Sequence, residues 1–181
     1  ITIDPTGDTT VEPNETVILT VASGVGYTVG SPANATGTIL NDDLPNLTIN
    51  DVSVSEGNSG NTNFTFTVSL SAPAGPGGVT FDISTADGTA QDDNPSTEDF
   101  DYVARSLTGQ TIPAGSSTYS FAVDVNGDTA VETDETYFVN ITNVTGATPT
   151  DAQGQGTIVN DDIAPNLTID DVTQFEGNGG A

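Results

Sequence analysis

Carboxylates return at fixed offsets along this chain, and hard-cation coordination is the chemistry that such a pattern suits. Asn41-Asp42-Asp43 recurs as Asn160-Asp161-Asp162. Gly7-Asp8 with Glu12 and Glu15 recurs as Gly127-Asp128 with Glu132 and Glu135. Asn46-Leu47-Thr48-Ile49 with Glu56-Gly57-Asn58 recurs as Asn166-Leu167-Thr168-Ile169 with Glu176-Gly177-Asn178. Ca2+ takes roughly six to eight oxygen ligands, many of them carboxylates and backbone carbonyls. Two bare carboxylates about 4 Å apart repel by roughly 4 kcal/mol at an effective dielectric of about 20, so several of them converging call for a counter-ion. Acids and amides at strand ends also cap turns without any ion, and convergence in space is what separates the two readings. The acidic stretch 91–101 could add an ion through Asp92, Asp93 or Asp99, although a solvated loop accounts for it more simply.

Self-similarity with a step of about 120 residues marks a repeat array. Residues 46–162 hold one complete unit, 1–43 match its later half and 166–181 match its start, so the chain reads as a window on a tandem array. The links Asp43-Leu44-Pro45-Asn46 and Asp162-Ile163-Ala164-Pro165-Asn166 are short, and proline stiffens both.

The charge excludes several classes of function. The 26 Asp and Glu face a single cation, Arg105, with no His, for a net charge of −25. Phosphate binding needs Lys or Arg, so nucleic acid is excluded as a general partner, and anionic membranes are disfavoured. Such self-repulsion destabilises a compact state unless counter-ions bind. Without Cys or His there is no disulfide framework, zinc site or thiol chemistry. No apolar run approaches the roughly 20 residues that span a bilayer. No signal peptide stands out, and a secretion signal is expected outside this window or already removed.

The elements that must position the acids read as strands. Phe64 to Leu70 and Tyr119 to Val125 alternate apolar and polar residues, as does Tyr137 to Ile141. Leu47 to Val54, Val79 to Ile83, Gly156 to Val159 and a weaker stretch from Val103 to Ile112 bring the set to about seven. Gly- and Pro-bearing turns separate them, and no segment carries a helical period. The expected fold is an all-β sandwich with Phe64, Phe66, Val68, Leu70, Phe121, Val123, Val125, Val139 and Ile141 in its core. In such a sandwich Glu132, Glu135, Asp161 and Asp162 can meet at one pole.

Taken together, Val52 to Gly60, Ser84 to Ala90, Asp101-Tyr102, Gly127-Asp128 with Glu132 and Asp134-Glu135-Thr136, and Gly156 to Asp162 resemble the Calx-beta repeat family in order and spacing. The resemblance implies immunoglobulin-like sandwiches, with Ca2+ held at one end in the members that bind it. Carried onto matching positions, the ligands would be Glu56, Asp101, Asp128, Glu132, Glu135, Asp161 and Asp162. The partial units would contribute Asp8, Glu12, Glu15, Asp42 and Asp43 at one end and Glu176 at the other. Asn160 stands where calcium-binding members can carry a third consecutive acid, and Gly127-Asp128 replaces a longer acidic run. One or two ions per junction are therefore expected.

The leading expectation is a structural, secreted or cell-surface protein: a stalk, adhesin or filament whose units are stiffened by Ca2+ and whose partners are other repeats or copies of itself. The alternative is a calcium-dependent adhesion or sensor module that captures a cell-surface or matrix ligand. Catalysis is not expected. Carboxylate pairs can hydrolyse glycosides, but these acids recur at structural offsets, and a lone Arg offers little to stabilise an oxyanion.

Overall fold

The computed structural model describes residues 2–8, 10–92 and 100–179. These residues form strands and no helix. Strands β1 (Glu15–Thr20) and β2 (Asn34–Ile39) make an antiparallel pair near the start of the chain. The stretch 46–159 folds into two facing sheets. One sheet runs β10 (Thr148–Pro149), β3 (Asn46–Ile49), β5 (Gly60–Leu70) and β8 (Thr118–Gly127). The other runs β4 (Val52–Ser55), β11 (Gln153–Val159), β9 (Glu135–Thr145), β6 (Val79–Asp87) and β7 (Ser106–Ile112).

The alternating strands bury the faces that their periodicity selects. All nine residues expected in the core are buried, together with Leu47, Ile49, Val79, Phe81, Ile83, Tyr102, Ile112, Tyr137 and Ile158. Phe66 sits opposite Phe121 on the paired strands β5 and β8. The Tyr137 ring stacks on Tyr102 with centroids 4.5 Å apart and packs against Phe64 and Phe66 at 6.1 and 6.0 Å. Close packing of this kind leaves no room at Gly156, where a Cβ would run into the Tyr137 ring.

Nine strands form between 46 and 159, where about seven were expected. One added strand is the short β10. The other comes from Leu47–Val54, which divides into β3 and β4 in opposite sheets. Two side chains make the crossover possible by replacing ladder bonds at the break. Asn50 Oδ1 accepts from the Thr67 backbone N–H, and Asp51 Oδ1 accepts from the Gln155 N–H at 2.7 Å. Gly154 clears the way, since a Cβ there would lie 2.7 Å from the Asn50 carbonyl oxygen. The crossover matters for function because β4 then runs parallel to β11, and both deliver their following acids to the same pole. The weak stretch from Val103 becomes a strand only at Ser106, while Tyr102 makes an isolated bridge with Val125.

The pair β1–β2 reproduces β9–β11 in register. Glu15↔Ile39, Val17↔Gly37 and Leu19↔Ala35 correspond to Glu135↔Ile158, Tyr137↔Gly156 and Val139↔Gly154.

Candidate metal centre

The site begins where β4 ends. The Glu56 N–H donates to the Val159 carbonyl at 3.4 Å, which ties the end of β4 to the end of β11. Gly57 turns the chain with φ of +85°, and its N–H donates to Asp161 Oδ1 at 3.1 Å. Thr62 Oγ1 donates to the Glu56 carbonyl, and Asn58 Nδ2 donates to Asp162 Oδ1. Gly127 lies against this turn. A Cβ on it would strike the Gly57 carbonyl and come within 2.8 Å of the Glu56 carbonyl oxygen. An acidic side chain at 127 is thus incompatible with this backbone, which accounts for the short Gly127-Asp128 stretch.

Two groups of three carboxylates form here, each with oxygens within 4.8 Å of one another: Glu56, Asp161 and Asp162, and then Asp101, Glu132 and Glu135. Glu56 is 3% exposed, and its carboxyl is pushed up from 4.5 to about 7, first by burial and then by the charges of Asp128, Glu132, Asp161 and Asp162. Asp162 Oδ2 is buried without a hydrogen-bond donor. A buried acceptor left unpaired is costly, and a cation beside it would remove that cost. Asp101 is held rigidly. Its Oδ2 accepts from the Gln91 N–H at 2.8 Å, its N–H donates to the Gln91 carbonyl at 3.0 Å, and its carbonyl accepts from the Asn126 N–H at 2.8 Å. All six carboxylates suit a hard cation, and the buried oxygens are where a metal has most to offer.

Asp128 stands apart from both groups. It is exposed, its Oδ1 accepts from the Ala130 N–H at 2.6 Å, and it acts on Glu56 through its charge. Among the described residues, Asp8, Glu12, Glu15, Asp42 and Asp43 form no three-carboxylate group, and Glu176 is exposed. Asp93 and Asp99 lie outside the described residues. The Asp92 N–H donates to Asp87 Oδ1 at 3.2 Å, and the Tyr102 hydroxyl donates to the same oxygen at 2.6 Å.

Asn160 has a positioning role that sequence reasoning missed. Its Oδ1 accepts from the Glu132 N–H at 3.4 Å, and its Nδ2 donates to the Asp162 carbonyl at 3.1 Å. Its own N–H donates to Asp134 Oδ1 at 3.2 Å. An Asp could accept but not donate, so the amide staples the Glu132 loop to the Asp161-Asp162 run where a third acid could not. The same bonds recur in the first segment, from the Glu12 N–H to Asn41 Oδ1 at 3.3 Å and from Asn41 Nδ2 to the Asp43 carbonyl at 2.9 Å. The recurrence of Asn at both 41 and 160 was the available signal.

A search of the curated proteins finds no match. Among solved structures, the apo form of the Calx CBD1 domain is similar at 21% identity with a TM-score of 0.50, covering 66% of this chain and all of that one. CBD12 from CALX1.2 is similar at 22% identity and 0.50, covering 65% of this chain and 46% of that one. The calcium binding domain CBD12 of CALX1.1 is similar at 20% and 0.50, covering 64% and 46%. At these identities the likeness establishes the fold. The Calx-beta domain family matches residues 46–171, most of the sequence. With the two-sheet fold and the acidic pole both in place, the chain belongs to the Calx-beta family.

Proposed function

We propose that this chain is a calcium-stiffened structural module of an extracellular tandem array, with Ca2+ held at the pole where β4 and β11 end. The observation that carries the reading is the pair of three-carboxylate groups, one of which contains the buried, donor-free Asp162 Oδ2. Glu56, Asp161 and Asp162 would hold one ion, and Asp101, Glu132 and Glu135 a second. Ca2+ would supply the positive charge that lets these groups stay ionised while crowded.

The protein's own residues turn binding into stiffness. Asp161 and Asp162 are the last residues before the link 163–165, and Asn58 and Asn160 already tie Asp162 to the pole. An ion there fixes the direction in which the chain leaves the unit. The titrating acids serve a resident ion rather than a reaction, and we read the chain as non-catalytic. An affinity in the extracellular range, with Kd on the order of 0.1–1 mM, is enough for that setting.

Calcium titration by calorimetry with parallel thermal melts tests the proposal. The expected result is saturable binding and a higher melting temperature. Melting curves that coincide in calcium and in chelator would sink it.

A further inference from the structure

Two pieces of this chain are unpartnered among the described residues: the outer edge of β2 and the segment 166–177. The complete unit shows how two such pieces fit. There β4 lies parallel to β11, pairing Val52 with Gly156, Ser53 with Thr157, Val54 with Ile158 and Ser55 with Val159. By the repeat, Gly37, Thr38, Ile39 and Leu40 are the counterparts on the β11 side, and Val172, Thr173, Gln174 and Phe175 on the β4 side. We propose that the segment 166–177 of one copy of this chain adds in parallel to the β2 edge of a second copy and places Glu176 among Asp8, Glu12, Asp42 and Asp43, where a divalent cation completes the joint. This rests on the calcium reading above.

Both halves are prepared for it. On the acceptor, β1–β2 keeps the register of β9–β11, and Asn41 makes the same bonds as Asn160. On the donor, Gly177 has φ of +73° against +85° at Gly57, so the turn that aims the preceding glutamate is already formed. Leu167 and Ile169 are 99% and 97% exposed, whereas their counterparts Leu47 and Ile49 are buried. Strand addition to an open edge supplies main-chain hydrogen bonds as well as cover for such residues.

The joint needs its cation. It brings Glu176 to four further acids on chains that each carry −25, so without an ion repulsion opposes it. Donor and acceptor also lie at opposite ends of the sandwich. The first segment shares a cleft with Pro73, Ala74 and Gly115 at the turns near Asn46, whereas the last segment leaves beyond Val159, beside Glu56. A head-to-tail contact of this kind propagates instead of closing. Because no counterpart of β5, β6 or β7 joins it, the contact is small and its assembly is concentration-dependent.

Sedimentation velocity of the 181-residue chain in calcium and in chelator tests the idea, with thermal melts of the same samples. Faster, concentration-dependent species are expected in calcium and a single monomer boundary in chelator. A variant ending at Pro165 should stay monomeric, and Glu176→Gln should raise the concentration needed for assembly severalfold. With Thr38→Cys and Thr173→Cys in one chain, oxidation in calcium should give a ladder of disulfide-linked multimers. Melting temperature raised by calcium with a monomer at every concentration overturns the joint and leaves the calcium reading standing, as does a calcium-dependent compaction of the monomer. Multimers that survive truncation at Pro165 also overturn it. A melting temperature indifferent to calcium removes both.

Discussion

The pole around Glu56 and the acid run around Asp42 have nearly the same sequence, the same strand register and the same asparagine staple, yet they differ as sites. At the first, six carboxylates gather into two groups, with Glu56 and Asp101 buried. At the second, Asp8, Glu12, Glu15, Asp42 and Asp43 line an open cleft of ≈ 440 Å³. The local backbone is common to both, so it is not what makes the site. What differs is cover. The counterparts of Glu56, Gly57 and Asp101 are missing from the first segment, and with them goes the wall that excludes water and crowds the charges. Gly127 is pressed against the Gly57 carbonyl, while a Cβ on Gly7 would meet nothing within 4 Å.

Calcium should break the comparison most visibly. At about 100 times Kd, binding to the native state adds about 2.7 kcal/mol, which for a domain of this size raises the melting temperature by about 10 °C. Asp162→Ala should remove most of that rise. In dilute protein, where copies stay apart, Asp43→Ala should leave it unchanged, and an equal loss from both would show that the two poles are alike after all. Next in size is Gly127→Ala, expected to cost about 1–3 kcal/mol in denaturant melts because the turn must move. Gly7→Ala should cost far less.

The pH dependence of the metal-free protein sharpens the electrostatic side of the contrast. Glu56 has a folded-state pKa raised from 4.5 to about 7. Below about 4.5 the group is protonated in both states and its contribution is fully present. As pH rises toward and through 7, the unfolded chain has already released the proton, so the folded state loses stability, on the order of 1–2 kcal/mol after screening. Glu56→Gln should flatten this slope in urea melts. With calcium present the slope should reverse, because protons and the ion compete for the same oxygens. The smallest effect is expected from Asn160→Asp. It loses the donor to the Asp162 carbonyl and should cost about 1 kcal/mol in chelator, while widening the gap between the chelator and calcium melts.

Much of the sandwich was legible because alternation over β5, β8 and β9 fixes which face is buried. The crossover at Asn50-Asp51 was not legible. Leu47 to Val54 alternates smoothly enough to pass for one strand, and the break depends on Thr67, Gln155 and Gly154, which are distant in sequence. The positions of the acids could be named from the repeat and the family resemblance, but their grouping could not. Asp128 looks as suitable as Asp161 in sequence, yet its carboxylate turns back on the Ala130 N–H. Asn160 looked like a missing acid and proves to be a staple.

By itself the sequence determined the all-β architecture, the repeated acids and the exclusion of anionic partners, because periodicity, composition and net charge are properties of the chain read in order. The tertiary structure decided which carboxylates face one another and which are buried. That outcome depends on β4 crossing to lie beside β11, and on a glycine, an asparagine and a wall of backbone brought together from residues far apart in the chain. A carboxylate's affinity for an ion comes from its neighbours and its exclusion from water, and both exist only once the two sheets have closed.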